Sequence, residues 1–142
     1  MTKCSILIVE NNRREMAELV KLASAPDRQV VEAHDHQEAI EAIDQSRFDV
    51  VILDLRLLPG DIDLQGEEKG LDVLRTAVDK DPSTQVIVIT NYANDISVVK
   101  AMKLGAYDYI DRSSITPDYK DVLPHQIRKA LEYSALLVAR GA

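Results

Sequence analysis

The sequence predicts an α/β fold in which a five-stranded parallel sheet is covered by helices on both faces. Short apolar runs alternate with longer segments whose apolar residues recur at helical spacing. Most residues in the short runs are apolar, which is typical of strands that are buried on both faces of a parallel sheet. Because crossover connections are right-handed, a doubly wound sheet with strand order 2-1-3-4-5 is favoured.

The first half of the chain is predicted to contain three strands joined by two helices. The strands are the runs CSILIV, QVVEA and DVVILD, of which the second is the weakest. Each segment between them places its apolar residues on one helical face. The predicted ranges are strands 4–9, 29–33 and 49–54 and helices 12–24 and 36–46.

The second half of the chain is predicted to contain three helices and two further strands. Residues 55–69 hold Pro59, Gly60 and Gly66 and are expected to be irregular. Asp81-Pro82 ends the next helix, and Gly105 ends the one after it. The predicted ranges are helices 70–80, 94–104 and about 119–139 and strands 85–90 and 107–111.

Length and composition limit the class of protein. The chain has 142 residues, the size of one domain, so residues 1–142 are expected to form a single domain. Its 24 acidic and 17 basic residues give a net charge of −7, which argues against nucleic-acid binding. Cys4 is the only cysteine, which excludes an internal disulfide. With no membrane-length apolar run and no signal peptide, a cytoplasmic protein independent of membranes is expected.

Polar residues follow four of the five predicted strands, at the edge where this type of sheet binds ligands. Glu10 and Asn11 leave the first strand, Asp54 ends the third, Thr90 ends the fourth and Arg112 follows the fifth. Two carboxylates, a hydroxyl and a cation can therefore meet in one crevice. Such oxygens suit Mg²⁺, and a metal beside a fixed cation would neutralise an incoming phosphoryl group. The alternative from the pattern alone is a set of solvated loop residues and helix caps.

Five segments of the sequence together resemble one known family. They are ILIVENN, FDVVILDLRLLPG, GLDVLRTAV, VIVITNYAN and GAYDYIDRSS, and the similarity runs from residue 4 to about residue 133. The chain resembles a response-regulator receiver domain, the phosphoacceptor module of two-component signalling. The resemblance implies a flavodoxin-like sheet with five helices. It also implies a phosphoprotein of signal transduction or a phosphorelay, and not an enzyme beyond self-phosphorylation and dephosphorylation chemistry.

The resemblance implies a phosphorylation site and a metal site at the same crevice. Asp54 corresponds to the residue that accepts the phosphoryl group. Glu10 and Asn11 correspond to the acidic pair that organises Mg²⁺, together with Asp54 and the backbone carbonyl of Arg56. Mg²⁺ is therefore the expected cofactor.

The resemblance also implies a switch and a set of partners. Thr90 corresponds to the switch hydroxyl, and Tyr109 corresponds to the aromatic residue that changes rotamer. Arg112 stands where the family has a lysine that contacts phosphoryl oxygens. The implied donor is a histidine kinase or a phosphotransfer protein. The implied partner or homodimer surface is formed by the fourth helix, the fifth strand and the fifth helix.

Three features depart from the family pattern. Asn11 is neutral where the family usually has a second acid, so weaker Mg²⁺ binding is expected. Arg112 and Ser113 stand where the family has lysine and then proline, so the usual site of a cis bond is absent. Gly70, which opens the third predicted helix, lies 16 residues after Asp54, farther than in the family.

These departures leave a second function open, in which a degenerate receiver binds partners without being phosphorylated. A flavin-binding protein or a phosphatase of the same architecture is disfavoured. The loop at Glu10 lacks the glycines of a phosphate-binding loop, and Arg56 replaces the second aspartate of the phosphatases. Whether the chain acts alone or belongs to a larger regulator also stays open.

The acidic segment after Asp54 has some of the spacing of a calcium-binding loop. Its last position is aspartate instead of glutamate, and no helix is predicted before it. A solvated acidic loop is therefore favoured over a calcium site, and a lid or docking surface beside Asp54 is the intermediate interpretation. The matching residues are Asp61, Asp63, Gln65, Gly66 and Asp72.

Overall fold

The computed structural model describes residues 3–56, 64–91 and 95–141 of the chain. In these ranges five strands alternate with five helices. The strands are β1 (Cys4–Val9), β2 (Arg28–Ala33), β3 (Val50–Asp54), β4 (Gln85–Thr90) and β5 (Asp108–Asp111). The helices are α1 (Arg13–Ala23), α2 (His36–Gln45), α3 (Leu64–Lys80), α4 (Asp95–Lys103) and α5 (Tyr119–Ala139).

All neighbouring strands are parallel, and their order is β2-β1-β3-β4-β5, which confirms the predicted fold class. The register pairs Val9 with Leu53, Asp54 with Ile89 and Thr90 with Asp111. The last residues of the inner strands therefore lie side by side. This arrangement brings the polar residues that follow them to one edge of the sheet.

Two aliphatic cores lie on the two faces of the sheet because successive strand residues point in opposite directions. Leu7 and Val9 belong to the core shared with α2, α3 and α4. Ile6 and Ile8 belong to the core shared with α1 and α5. The inner strands are thus held rigidly from both sides. Within the described ranges, no helix combines the length and the apolar character needed to cross a membrane.

Helix α3 begins at Leu64, so the prediction that residues 55–69 are irregular is wrong for residues 64–69. This segment, LQGEEK, consists of good helix formers apart from one glycine, and their summed propensity outweighs that glycine. The helical backbone at Gln65 and Gly66 is also unlike the loop of a calcium site.

Asp72, the last candidate of that calcium loop, faces another partner. Its Oδ2 lies 2.7 Å from Nε2 of His36, in a hydrogen bond between α3 and α2. Asp61 and Asp63 lie outside the described residues. The described residues therefore support an extended α3 in place of a calcium-binding loop.

The connection between β5 and α5 contains a cis peptide bond between Thr116 and Pro117. The family resemblance predicts a proline at position 113, where this chain has Ser113. The chain thus has a cis proline in the same connection, at a later position.

Gly70 lets α3 approach the backbone that follows β3. A Cβ atom at Gly70 would lie 1.9 Å from the carbonyl oxygen of Leu55, well inside van der Waals contact. Leu55 directly follows Asp54, so the position of α3 is coupled to the residue at the centre of the predicted site. The glycine is required here by space and not by its backbone freedom.

Replacing Gly70 by alanine is therefore expected to destabilise the protein. Alanine in a helix interior normally stabilises by about 1 kcal/mol relative to glycine. Here the backbone must move to admit the Cβ, so we expect a net loss of about 1–3 kcal/mol. Urea unfolding measures this loss, and amide NMR shifts at Leu55 and Arg56 should report the movement. Arg75→Ala, an exposed change on the same helix, is the control, and a G70A protein as stable as this control would contradict the prediction.

Candidate functional site

Four polar side chains are buried where the strands end at one edge of the sheet. Glu10 follows β1 and is fully buried, and Asp54 ends β3 with 8% of its surface exposed. Thr90 ends β4 and Arg112 follows β5, and both are also buried. The structure therefore brings the predicted residues of β1, β3, β4 and β5 to one edge. Their individual roles stay predictions.

Glu10 is held by the protein through both of its carboxylate oxygens. Oε2 accepts a hydrogen bond of 3.1 Å from the backbone N–H of Asn12. Oε1 accepts one of 3.0 Å from Nη2 of Arg112. A fully buried carboxylate requires such partners because its desolvation is costly. Asn11, between Glu10 and Asn12, is half-buried.

Glu15, which is not among the site residues predicted from the sequence, enters the same crevice from the first turn of α1. Its Oε2 accepts a hydrogen bond of 2.5 Å from Nη1 of Arg112. Its Oε1 accepts one of 3.1 Å from Nδ2 of Asn91. The side chains of Glu10 and Glu15 thus flank the two terminal nitrogens of the same guanidinium.

The capping of α1 explains why Glu15 points this way. Asn12 caps the helix, and its Oδ1 accepts a 3.0 Å hydrogen bond from the N–H of Glu15. In a capping box the third residue of the helix returns this bond to the N–H of the cap. Here Glu10 already occupies that N–H, so the Glu15 carboxylate turns to Arg112 instead. The spacing Asn12-x-x-Glu15 is visible in the sequence, but it predicts a hydrogen bond between Glu15 and the N–H of Asn12 and not one to Arg112.

Glu10, Glu15 and Asp54 form a cluster of three carboxylates, which we call the acidic cluster. One oxygen of each lies within 4.8 Å of those of the other two. Oxygen donors at this separation can share a hard divalent cation such as Mg²⁺. The donor set of the described residues therefore fits the metal that the family resemblance implies.

Arg112 supplies the positive charge beside the acidic cluster. Its guanidinium carbon lies 5.7 Å from the ring centroid of Tyr119, and its Nε is buried without a hydrogen-bond partner in the described part of the chain. Burial lowers the pKa of Arg112, but Glu10, Glu15 and Asp54 outweigh burial and raise the pKa above its ordinary value. Arg112 is therefore a permanent cation.

Asp54 is unusually easy to protonate for an aspartate. Burial raises its pKa most, the charge of Glu10 raises it further, and together they bring it to about 8. Arg112 and the N–H of Arg56, which donates to Oδ1 at 3.1 Å, oppose this rise. Without a further cation nearby, Asp54 therefore holds a proton near neutral pH.

Thr90 and Tyr109 connect the crevice to β5 and α4. The carbonyl of Thr90 accepts a 2.9 Å hydrogen bond from the backbone N–H of Arg112. Tyr109 is half-buried, and its hydroxyl lies 3.1 Å from the Oγ of Ser97, a buried residue of α4. The structure thus places Tyr109 against α4. The predicted backbone ligand, the carbonyl of Arg56, lies two residues after Asp54 in the described part of the chain, and its metal role stays a prediction.

Removing the Arg112 guanidinium is expected to destabilise the fold strongly. Arg112→Met would leave Glu10 buried without its ionic partner, at a cost of about 3–5 kcal/mol. The double variant Glu10→Gln, Arg112→Met should lose less than the two single losses added together. Urea unfolding at neutral pH measures all three variants, with the exposed Arg128→Met as control. A loss no larger than that of the control would contradict the prediction.

The raised pKa of Asp54 predicts an unusual pH dependence of stability. The folded state holds the Asp54 proton up to about pH 8, whereas the unfolded state loses it at the ordinary value for aspartate. Between these limits the folded state binds more protons, so the free energy of unfolding falls as pH rises. The Asp54→Asn variant does not have this pH-dependent loss of stability. Its free energy of unfolding should therefore exceed that of wild type by an amount that grows from near zero at about pH 4 to a few kcal/mol at about pH 8.

Thermal or urea unfolding in buffer with a metal chelator measures this difference across the pH range. Asp79→Asn, an exposed change on α3, is the control and should show no such trend. A constant difference between Asp54→Asn and wild type at all pH values would contradict the assignment.

Comparison with known proteins places the chain in a family. The family model for the response regulator receiver domain matches residues 6–121. The acid tolerance regulatory protein ActR of Sinorhizobium medicae (strain WSM419) is 30% identical over 125 residues, which cover 88% of this chain and 59% of ActR. The chain spans less than two thirds of the length of the curated relatives it matches.

Solved structures show the same fold. The signal receiver domain of a putative Luxo repressor protein from Vibrio parahaemolyticus has a TM-score of 0.80 and 21% identity, covering 99% of this chain and 98% of that one. A response regulator protein from Burkholderia pseudomallei with a phosphorylated aspartic acid, a calcium ion and citrate has a TM-score of 0.70 and 22% identity, covering 99% of this chain and 74% of that one. At these identities the likeness concerns the fold alone. Because the family match spans most of the sequence, the chain belongs to the response regulator receiver domain family.

Proposed function

We propose that Asp54 accepts a phosphoryl group from a histidine kinase or a phosphotransfer protein, in a reaction supported by Mg²⁺. The observation that carries this proposal is a buried aspartate beside two further carboxylates and a permanent cation. The phosphorylated aspartic acid of the Burkholderia pseudomallei regulator, which shares the fold, supports it. The proposal treats residues 1–142 as one receiver domain, because both cores lie on a single sheet.

The chemistry at Asp54 is a simple transfer. A carboxylate oxygen of Asp54 attacks phosphorus, the P–O bond forms, and the P–N bond to the donor histidine breaks, leaving the imidazole to take up a proton. The attack requires the ionised carboxylate, so Asp54 must first lose the proton that burial favours. Catalysis of such a transfer consists mainly of positioning and charge stabilisation.

The metal site is proposed on Glu10, Asn11, Asp54 and the carbonyl of Arg56. When bound, Mg²⁺ supplies positive charge that offsets the charge of the phosphoryl group. Glu10 is held in place by its two hydrogen bonds, and Asp54 is oriented by the N–H of Arg56.

Arg112 and Thr90 are proposed to contact the phosphoryl oxygens after transfer. The buried Nε of Arg112 has no acceptor within the described ranges, and a phosphoryl oxygen would provide one. Thr90 ends the strand next to that of Asp54. If the phosphoryl group ordered the Thr90 hydroxyl, the surroundings of Tyr109 and Ser97 would change as well, because β4 and β5 are paired.

The output surface is proposed to be the face formed by α4, β5 and α5. Ile96, Val99 and Met102 on α4 are large apolar residues with 45–67% of their surface exposed. Tyr133 and Leu136 on α5 are similarly exposed. We propose that a partner protein or a second receiver domain binds here, and that phosphorylation shifts the population of the competent state.

Incubation with Mg²⁺ and acetyl phosphate tests the central proposal. Intact-mass spectrometry should show a gain of one phosphoryl group on wild type and on Asp79→Asn, but none on Asp54→Asn. Removing Mg²⁺ with a chelator should abolish this gain in mass. A gain of equal size on Asp54→Asn, or none on wild type, would refute phosphorylation of Asp54.

A specific observation favours a second candidate function, a degenerate receiver that binds partners without phosphorylation. The Arg112 guanidinium already pairs with both Glu10 and Glu15, so part of the charge of the acidic cluster is offset without a metal. This function predicts no phosphoryl gain and no change in the amide NMR spectrum on addition of Mg²⁺ with beryllofluoride. The receiver function predicts shifts at Thr90 and Tyr109 in the same titration.

A further inference from the structure

Asn11 is neutral, so the proposed metal site has one negative charge fewer than a site with an acid at this position. An amide oxygen attracts a hard cation less strongly than a carboxylate does. Glu10 and Asp54 alone would face the charge of Arg112 and leave little net negative charge for a divalent ion. Another acid in reach of the same point would restore the attraction.

We propose that Glu15 replaces Asn11 as the second acid of the Mg²⁺ site. This inference rests on the metal site of the proposed function, but it does not require phosphorylation. Glu15 belongs to the acidic cluster, with a carboxylate oxygen within 4.8 Å of those of Glu10 and Asp54. It reaches the crevice from the first turn of α1, four positions after the residue it would replace.

The surroundings of Glu15 suit a cation that retains water. Its side chain is 30% exposed, whereas Glu10 is fully buried, so Glu15 forms the open side of the cluster. Mg²⁺ keeps several waters in protein sites and therefore needs an open side. Two donors, Nη1 of Arg112 and Nδ2 of Asn91, hold the Glu15 carboxylate at this side.

A second observation also points to a ligand at the edge of this cluster. The buried Nε of Arg112 lacks an acceptor within residues 3–56, 64–91 and 95–141. Buried donors are almost always satisfied, if necessary by water or a ligand. A water in the outer hydration shell of such an ion would bring an acceptor to this position.

The competing explanation is that Glu15 only holds Arg112 in place. In that case its loss would change stability without changing metal affinity. Glu15→Gln separates these roles because glutamine keeps the size and an acceptor oxygen but removes the charge. Glu18→Gln is a matched control on the same helix, since Glu18 is similarly exposed and lies 3.8 Å from Lys120.

Titration of the metal-free protein with MgCl₂, followed by calorimetry and by amide NMR shifts at Glu10 and Asn12, measures the affinity directly. Glu15→Gln should weaken Mg²⁺ binding at least about tenfold, because one full charge leaves the site. Glu18→Gln should bind like wild type. Adding Asn11→Asp to Glu15→Gln should restore most of the affinity, because it returns the charge at the family's position.

Thermal unfolding of each variant without metal confirms that it folds. Four outcomes would each overturn the role of Glu15. They are wild-type Mg²⁺ affinity in Glu15→Gln, an equal loss of affinity in Glu18→Gln, no recovery of affinity with Asn11→Asp, and a wild type that binds no Mg²⁺. The two proposals fail separately. Glu15-dependent Mg²⁺ binding without a phosphoryl gain refutes only the acceptor function, whereas a phosphoryl gain with Glu15-independent Mg²⁺ binding refutes only the role of Glu15.

Discussion

The ion pair between Arg112 and Glu10 is the interaction on which the crevice depends. Both side chains are buried, and they join residues 102 positions apart, at the ends of β1 and β5. A buried charge is tolerated only with a partner of opposite sign and further hydrogen bonds. Glu10 has the N–H of Asn12, and Arg112 has Glu15, so each ion of the pair organises a further part of the site. Asp54 lies in the field of both, and its affinity for protons and cations follows from their balance.

Arginine at position 112 changes what such a crevice can do. A lysine is a point charge, whereas the planar guanidinium offers several fixed donors. Here one terminal nitrogen binds Glu10 and the other binds Glu15, so a single side chain connects two acids from different segments. This arrangement offsets part of the repulsion of a third acid, although the charge of Glu10 still raises the pKa of Asp54. In the proposed metal site, the inward Glu15 supplies the charge that the neutral Asn11 lacks.

The strands and their order were predictable because the signal is local and strong. Runs such as ILIV in β1 and VVIL in β3 are fully buried, and period and length alone identify them. The start of α3 at Leu64 is not predictable from single residues, because Gly66 indicates irregular structure whereas the helix formers around it together outweigh that signal. The role of Glu15 is hidden for a different reason. Its direction depends on which group occupies the N–H of Asn12 and on a guanidinium 97 residues away, and neither is visible in a local pattern.

The hydrogen bond between Tyr109 and Ser97 differs in kind from the side-chain contacts among the charged residues of the crevice. It joins two neutral hydroxyl groups, whereas Glu10, Glu15, Asp54 and Arg112 interact through charge. Changes in ionic strength, or in pH near neutrality, alter interactions between charged groups. They leave a hydrogen bond between neutral groups nearly unaffected. The end of the molecule that is proposed to receive the phosphoryl group is therefore sensitive to its ionic surroundings. The Tyr109–Ser97 hydrogen bond, which links β5 to α4, depends far less on those conditions.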